Sequence, residues 1–358
     1  MATKFYRLPV KKVEKNTEDC ALITFQVAEE HKEEFAYKQG QYLTLRKEIN
    51  GEDIRRSYSL CSSPLDNEWQ VAVKKVEEGR FSTFANEQLR EGEFLEVMPP
   101  DGRFFVEVDP FRARNYVAFA AGSGITPILS IIKTHLQTEP QSTFKLFYIN
   151  QAVSSIILKE EIEALKNIYL DRFEVFHFLT KERRTSELFN GRIDQEKLNV
   201  LFEHFINQDT TNHYFICGPN EMIFLIRDYL LEKDIAAKKV HFELFNTGNI
   251  VKKVKKEEID PSKLSEISII EGGKTITFSI PQQSTNILDA ALSNHADLPY
   301  ACKGGMCCTC RAKVVEGKVD MLVNYALEQE EIDNGYVLTC QAIPLTEKVV
   351  VDFDTSSS

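Results

Sequence analysis

The hydrophobic pattern along the chain changes character twice. Over residues 1–110, short apolar runs such as Ala21-Leu22-Ile23-Thr24-Phe25-Gln26-Val27 and Trp69-Gln70-Val71-Ala72-Val73-Lys74-Lys75-Val76 are broken by Gly51, Pro64, Gly79, Gly92 and Gly102. β-Branched and aromatic residues between turn formers read as short strands. A series of them predicts a small antiparallel β-barrel. Beyond Pro110 the rhythm lengthens. Tyr116-Val117-Ala118-Phe119-Ala120-Ala121 reads as a buried strand, and after a glycine turn the stretch from Pro127 to Leu136 reads as a helix. Residues 144–149, 173–179 and 213–217 repeat the strand pattern, with a helix near 159–165. Strands alternating with helices predict a doubly wound parallel sheet over 111–246.

Residues 247–264 hold a basic run (Lys252, Lys253, Lys255, Lys256) followed by Glu257, Glu258, Asp260 and Pro261, and read as a solvated linker. In the third segment, 265–358, Ile267-Ser268-Ile269-Ile270 and Ile276-Thr277-Phe278-Ser279-Ile280 flank Gly272-Gly273, which predicts a hairpin. A short helix is expected from Asn286 to Asn294. The chain is thus read as three domains, the third an α+β fold of the β-grasp kind.

Composition adds little to the class, at 358 residues, 43% hydrophobic and 27% charged. The longest uncharged run, 115–132, is interrupted by Gly122, Ser123, Gly124, Thr126 and Pro127, unlike the roughly 20 apolar residues of a membrane span. The N-terminus lacks the apolar core of a signal peptide, so a cytoplasmic protein is expected. Charge is more informative. The net charge is −11, and residues 266–358 hold 13 acidic against 6 basic side chains. Such a surface repels nucleic acid and suits docking to a basic face on another protein.

Of eight cysteines, five crowd between Cys302 and Cys340. Cys302, Cys307 and Cys310 follow C-x4-C-x2-C, and Cys340 comes after 29 further residues. This is the plant-type [2Fe–2S] spacing. Two irons need four thiolates, and Gly304 and Gly305 let backbone N–H groups turn towards the sulfurs. A zinc site would more often pair two C-x2-C knuckles, and one is present. Cys308 is expected to pack in the loop without binding iron.

Two further patterns suggest phosphate recognition. Arg56-Ser57-Tyr58-Ser59-Leu60 lies in the barrel region, and Gly79-Arg80-Phe81-Ser82-Thr83 reads as a helix start capped by Ser82 or Thr83, with N–H groups able to hold a phosphate. Ala121-Gly122-Ser123-Gly124-Ile125-Thr126-Pro127 and Cys217-Gly218-Pro219-Asn220-Glu221-Met222 both join a strand to a helix, where open α/β sheets bind ligands. Neither is the G-x-G-x-x-G fingerprint.

These motifs together resemble the ferredoxin–NADP reductase superfamily, which carries R-x-Y-S, G-x-x-S/T, G-x-G-I-T-P and C-G-P. The resemblance implies that Arg56 pairs with a flavin phosphate, that Ser57 and Tyr58 line the flavin site with Tyr58 against the ring, and that Ser59 hydrogen-bonds near its N5 atom. It implies that Gly79, Ser82 and Thr83 complete the flavin pyrophosphate site. It places Gly122, Gly124, Thr126, Pro127, Cys217, Gly218 and Pro219 at the nicotinamide nucleotide, with Ser59 and Cys217 at the hydride-transfer point. FAD is expected over FMN. Where phosphate-selective members place Asn-Arg, this chain has Asn150-Gln151. The basic loop Lys181, Arg183 and Arg184 is the alternative source of charge for NADPH, unless it is an ordinary surface loop.

The third segment, including Met321-Leu322-Val323-Asn324-Tyr325-Ala326-Leu327 and Val337-Leu338-Thr339-Cys340-Gln341-Ala342, resembles the family of ring-1,2-phenylacetyl-CoA epoxidase reductase subunits. That implies electron flow from NADPH through FAD and a [2Fe–2S] cluster to a di-iron oxygenase with a basic docking face, in aerobic phenylacetate breakdown. Reductases of other oxygenases share the architecture, the FMN-binding phthalate dioxygenase reductase among them. A non-enzymatic redox sensor on the same fold is a further reading.

Overall fold

A computed structural model describes residues 4–245 and 262–357. The chain falls into two compact units, one with its bulk in Arg7–Phe245 and the other built on the residues after the undescribed stretch. The stretch read as a linker lies outside the described residues up to 261.

In the first unit, strands β1 (Tyr6–Thr17), β2 (Cys20–Phe25), β3 (Tyr42–Ile49), β4 (Glu52–Ser59), β5 (Trp69–Lys74) and β6 (Phe94–Val97) form a six-stranded sheet in the order β4-β3-β6-β1-β2-β5. The pairings β1–β2, β2–β5 and β3–β6 are antiparallel. Just past β4, Leu60 bridges to Val71 of β5, so the two edge strands meet and the sheet closes. Meeting of the edges in this way shortens what is left to pair with another chain. Alternate residues point inward, among them Leu8, Val10, Leu43, Leu45, Val71, Val73, Leu95 and Val97, all buried. Helix α1 (Arg80–Glu87) lays Phe81, Phe84 and Ala85 into this core.

The same unit continues with β7 (Asn115–Ala121), α2 (Ile125–Thr138), β8 (Thr143–Asn150), α3 (Lys159–Ile168), β9 (Phe173–Leu179), α4 (Gln195–His204), β10 (Thr211–Gly218), α5 (Asn220–Glu232) and β11 (Val240–Leu244). The five strands are parallel, in the order β11-β10-β7-β8-β9. The chain leaves β7 towards β8 and later returns to β10 on its other side. The crevice between β7 and β10 is therefore the switch point at which such sheets bind ligands. Phe147 stacks between Phe119 and Phe176, each 5.0 Å away by ring centroid. Each buried ring stabilises the sheet by roughly 1.5–3 kcal/mol.

Helix α2 ends on a buried carboxylate. Glu139 accepts from the Tyr116 hydroxyl (2.9 Å), the Ser142 hydroxyl (2.6 Å) and the Asp109 N–H (3.0 Å), and it contacts His135 Nδ1 (3.2 Å) and Arg114 (3.4 Å). It thereby ties the end of α2 to the chain entering both β7 and β8. Burial would raise this carboxyl, but the hydrogen bonds from His135, Ser142 and Asp109 bring it down to about 2.

The second unit holds β12 (Leu264–Glu271), β13 (Lys274–Pro281), α6 (Ile287–Ser293), β14 (Arg311–Glu316), β15 (Val319–Met321), α7 (Gln329–Asp333), β16 (Tyr336–Leu338), β17 (Ala342–Pro344) and β18 (Lys348–Asp352). Leu264, expected to end the linker, already opens β12. The main sheet runs β13-β12-β18-β14-β16, with β12 and β18 parallel, and β15 pairs with β17. The hairpin turns at Gly272 (φ +58°) and Gly273 (φ +71°), the left-handed pair a two-residue loop requires. Asn286 caps α6 through the Asp289 N–H, 2.8 Å away. Ile287, Leu288, Ala290 and Ala291 of that helix pack on Ile267, Ile269, Val349 and Val351. One helix grasped by a mixed sheet is the β-grasp arrangement expected.

Candidate functional site

Two turns meet at the switch point. After β7 the chain makes a single 3-10 turn over Gly122–Gly124 and enters α2. After β10 it passes Gly218 and Pro219 into α5. A Cβ on Gly124 would lie 2.2 Å from the Cys217 carbonyl oxygen, and one on Gly218 would lie 2.9 Å from the Ala121 Cβ. Glycine at both positions lets the turns close on each other. Gly122 differs: at φ +53° its missing Cβ faces open space, with nothing within 4 Å. A phosphate can approach backbone there, before the N-terminus of α2. Thr126 is buried, its hydroxyl donating to the Ser123 carbonyl (3.0 Å), and buried Pro127 follows in the first helical turn.

Beside these turns, the barrel and the parallel sheet share a polar contact. Ser59, at the end of β4, donates from Oγ to Oε2 of Glu243 on β11, 3.0 Å away. Glu243 lies directly across from Cys217 in the β10–β11 register. Burial pushes the Glu243 carboxyl up to about 8, against the opposing bond from Ser59. Cys217 is fully buried, and burial, reinforced by Glu243, pushes its thiol well above the ordinary value. The site thus presents a neutral thiol, a hydroxyl and a carboxyl raised to about 8.

Glu243 escapes a reading of the sequence. It stands in a short alternating strand, where a charged residue looks like an outward-facing position. The available signal is its place at the carboxyl end of a strand after the C-G-P turn.

The flavin-motif residues lie on neighbouring parts of the barrel. Arg56 is exposed on β4, its guanidinium donating to the Arg55 carbonyl (2.7 Å), and Ser57 and Tyr58 are half-buried. The Tyr58 ring lies 5.6 Å from that of Phe81 in α1. The expected cap is corrected. The N-cap of α1 is Gly79, without a side-chain cap. Ser82 instead accepts from the Val76 N–H (3.2 Å) and donates to the Gly79 carbonyl (3.0 Å), while the Thr83 N–H bonds the Gly79 carbonyl. A Cβ on Gly79 would strike the Ser82 hydroxyl at 2.3 Å, so this turn too needs glycine.

The loops after β8 and β9 run together, with Thr180 and Lys181 N–H groups bonded to the Asn150 and Gln151 carbonyls (2.9 and 2.8 Å). Lys181, Arg183 and Arg184 are exposed there. Arg183 is paired with Glu187 at 2.6 Å within the same loop.

In the second unit the four motif thiols gather in twos. Cys307 Sγ donates to Cys302 Sγ at 3.2 Å, and Cys310 and Cys340 share a hydrogen bond. Among the described residues no three His, Cys, Asp or Glu converge on a single ion. Two pairs fit a two-iron cluster, in which each iron takes two thiolates. The Gly304 N–H points at Cys302 Sγ, 3.3 Å away. The bond from Cys307 and the N–H groups of Gly304, Met306 and Cys307 bring the Cys302 thiol down to about 6. Gly305, at φ +73°, packs so tightly that a Cβ would lie 2.8 Å from the Val323 carbonyl oxygen. Cys308 turns away and donates to the Ala326 carbonyl (3.4 Å).

Residues 7–106 match the oxidoreductase FAD-binding domain, 119–228 the oxidoreductase NAD-binding domain, and 269–345 the 2Fe-2S iron-sulfur cluster binding domain. The chain is 44% identical to a component of the 1,2-phenylacetyl-CoA epoxidase of Escherichia coli (strain K12), over 98% of each chain. It is 32% identical to the ferredoxin reductase component of 3-ketosteroid-9-alpha-monooxygenase of Rhodococcus rhodochrous, over 97% of this chain and 96% of that one. Its fold matches phthalate dioxygenase reductase with a TM-score of 0.59 at 22% identity, over 98% of both chains. The three segments define an NAD(P)H-dependent flavin and iron–sulfur oxidoreductase of the kind that serves as the reductase component of an oxygenase. Within that class, the chain belongs to the ferredoxin-reductase family that includes this 1,2-phenylacetyl-CoA epoxidase component. Among the described residues no helix is long and apolar enough to cross a membrane.

Proposed function

We propose that this chain carries electrons from NADPH, through FAD and a [2Fe–2S] cluster, to a cytoplasmic di-iron oxygenase of the phenylacetyl-CoA epoxidase type. The observation that carries the reading is the meeting of Ser59, Glu243 and Cys217 beside the glycine turns, in a chain whose other unit gathers four thiols in two pairs. When bound, the flavin supplies the conversion between a two-electron donor and one-electron steps, and the cluster supplies one-electron carriage. The protein positions the groups and excludes water. Ser59 holds a hydroxyl proton at Oγ, Glu243 holds the carboxyl behind it, and neutral Cys217 presents a small apolar surface to the nicotinamide. In this reading Ser59 and Cys217 stand at the reacting atoms.

Arg56, Ser57, Tyr58, Gly79, Ser82 and Thr83 are assigned to the flavin site. The nicotinamide site takes Gly122, Gly124, Thr126, Pro127, Gly218 and Pro219. Lys181 and Arg183, with Arg184, would meet the 2′-phosphate that distinguishes NADPH, Arg183 exchanging its exposed pair with Glu187 for the phosphate. Cys302, Cys307, Cys310 and Cys340 are the cluster ligands. The domains run 1–110, 111–246 and, with Leu264 counted in β12, 264–358, joined by 247–263. The acidic C-terminal segment would meet a basic face on the oxygenase.

The test is the visible spectrum of anaerobically purified protein before and after one equivalent of NADPH, with NADH in parallel. Flavin bands over broad iron–sulfur absorption, bleached faster by NADPH, are expected. Flavin absorption without a cluster in fully loaded protein would overturn the electron path. Faster bleaching by NADH would return Lys181, Arg183 and Arg184 to an ordinary surface loop.

A further inference from the structure

Each thiol pair of the second unit has its own fastening. Thr339, ahead of Cys340, bonds the Cys310 carbonyl through its N–H (3.1 Å) and its hydroxyl (2.9 Å). The Gly304 N–H points at Cys302 Sγ, which also meets Cys307 Sγ. A two-iron cluster further needs the two pairs at a fixed spacing from each other. Main-chain bonds through the 322–325 segment help, from the Leu322 N–H to the Gln341 carbonyl (3.1 Å) and from the Tyr325 N–H to the Gly305 carbonyl (3.0 Å).

The side chain of Gln341 spans the pairs directly. Its Nε2 donates to the Lys303 carbonyl, 3.0 Å away, and lies 3.8 Å from Cys340 Sγ. Lys303 follows Cys302, and Gln341 follows Cys340. A primary amide has two N–H groups, and here one faces a carbonyl while the other faces a sulfur. Turned the other way, the amide would set its oxygen against a carbonyl and a thiolate, so its surroundings decide which end is nitrogen.

Both ends of this bridge are held in place. The Gln341 N–H bonds the Leu338 carbonyl (2.8 Å), and its Cγ packs where a Cβ on Gly305 would approach to 3.1 Å. Lys303 sits at φ +51°, a left-handed conformation uncommon for a residue with a side chain. Its ammonium is bonded to Asp289 at 2.8 Å and lies 4.6 Å over the Tyr300 ring. Lys303 thus keeps an unfavourable backbone conformation, and the carbonyl it presents is received by Gln341.

We propose that Gln341 is a positioning residue for electron transfer: its amide keeps the two thiol pairs in register and donates an N–H to the Cys340 sulfur, raising the reduction potential of the bound cluster. A donor to a ligand sulfur favours the reduced, more negative cluster. Without that donor the cluster holds an electron less well against the flavin. The inference rests on the assignment of Cys302, Cys307, Cys310 and Cys340 as cluster ligands.

The experiment is an anaerobic redox titration of holoenzyme with dithionite, followed by visible absorption and by EPR of the reduced cluster, with iron and flavin measured on the same samples. Gln341→Met keeps the length of the side chain and removes both donors. It is expected to retain iron and to shift the cluster's one-electron equilibrium towards the oxidised form by about threefold to tenfold, at about 59 mV per factor of ten. The flavin midpoint, read in the same titration, should stay at its wild-type value. A merely structural role would lower iron content and melting temperature and leave the cluster potential of the loaded fraction unmoved, and that result overturns the proposal. Gln341→Leu repeats the measurement if the methionine variant does not accumulate with iron. Iron lost from both variants, with the wild type loaded, would make the side chain structural alone and also overturn it. If wild-type protein loaded with flavin holds no [2Fe–2S] cluster, the ligand assignment falls and this inference with it. If the cluster is present and its potential is the same in the variants, this inference alone falls.

Discussion

Two carboxyl groups in the first unit show how one side chain can serve opposite ends. Glu139 is fully buried and satisfied from several sides. Its folded-state carboxyl lies near 2, below the ordinary 4.5. Its stabilisation is therefore present above about pH 4.5 and is lost as pH falls towards 2. Glu139→Ala leaves the Ser142, Tyr116 and Asp109 donors buried without an acceptor. Urea titration should show a loss of about 3–5 kcal/mol at neutral pH. Glu243 has the opposite sign. Its carboxyl is raised from 4.5 to about 8, so it is protonated in the folded protein where the unfolded chain is ionised. Stability present below about pH 4.5 is lost as pH rises through about 8. Glu243→Gln cannot ionise, so its melting temperature relative to wild type should climb across that window. Its rate of flavin reduction by NADPH should also lose the pH dependence centred near 8. A flat difference in melting temperature would show that the carboxyl is not held protonated.

At the scale of elements, glycine sets the shape of the turns. A Cβ at Gly124 meets backbone atoms of Cys217 at 2.2 and 2.4 Å, which no side-chain rotation relieves. Gly124→Ala should part the two turns, weakening NADP+ binding by on the order of tenfold or more, while flavin and cluster absorption persist. Gly305→Ala forces an L-residue to φ +73° against the Val323 carbonyl and should reduce the cluster content of purified protein, read from visible absorption. Much of this architecture is legible in the sequence. β7 and the Gly272-Gly273 hairpin stand out because apolar runs end at glycines, and β9 because Phe173 to Leu179 is rich in aromatic and β-branched residues. The start of α6 at Asn286 is legible because asparagine is a favoured N-cap. Other elements are opaque. β1 and β4 mix charged and apolar residues because each has a solvated side. Helix α4 is weakly amphipathic, with two fully buried apolar positions, Leu198 and Leu201. The cap expected at Ser82 or Thr83 fails because Gly79 occupies the N-cap, and the serine three residues on turns back to Val76. The Ser59–Glu243 contact joins residues 184 apart, and no local pattern announces it.

At the scale of the whole molecule, the chemistry is divided between the two units. Residues 7–106 and 119–228 match the FAD-binding and NAD-binding domains, and residues 269–345 the 2Fe-2S cluster binding domain. Cys302→Ser removes one thiolate of the Cys302–Cys307 pair. It should abolish electron delivery to the partner oxygenase while sparing most NADPH-driven reduction of a two-electron dye, measured side by side. Equal loss of both activities would contradict the division of labour. The acidic excess of residues 266–358 adds a salt dependence. Turnover with the oxygenase should fall as ionic strength rises, whereas dye reduction should not.

The Ser59–Glu243 contact also limits how this chain can be recombined with its relatives. A chimera that takes its barrel from one relative and its nucleotide sheet from another would inherit the hydroxyl and the carboxyl from different parents. Such a hybrid could arrive with a mismatched pair even where both parents fold. Recombination of this chain should therefore keep the two halves together, or draw on a parent with a hydroxyl and a carboxyl at the same two positions.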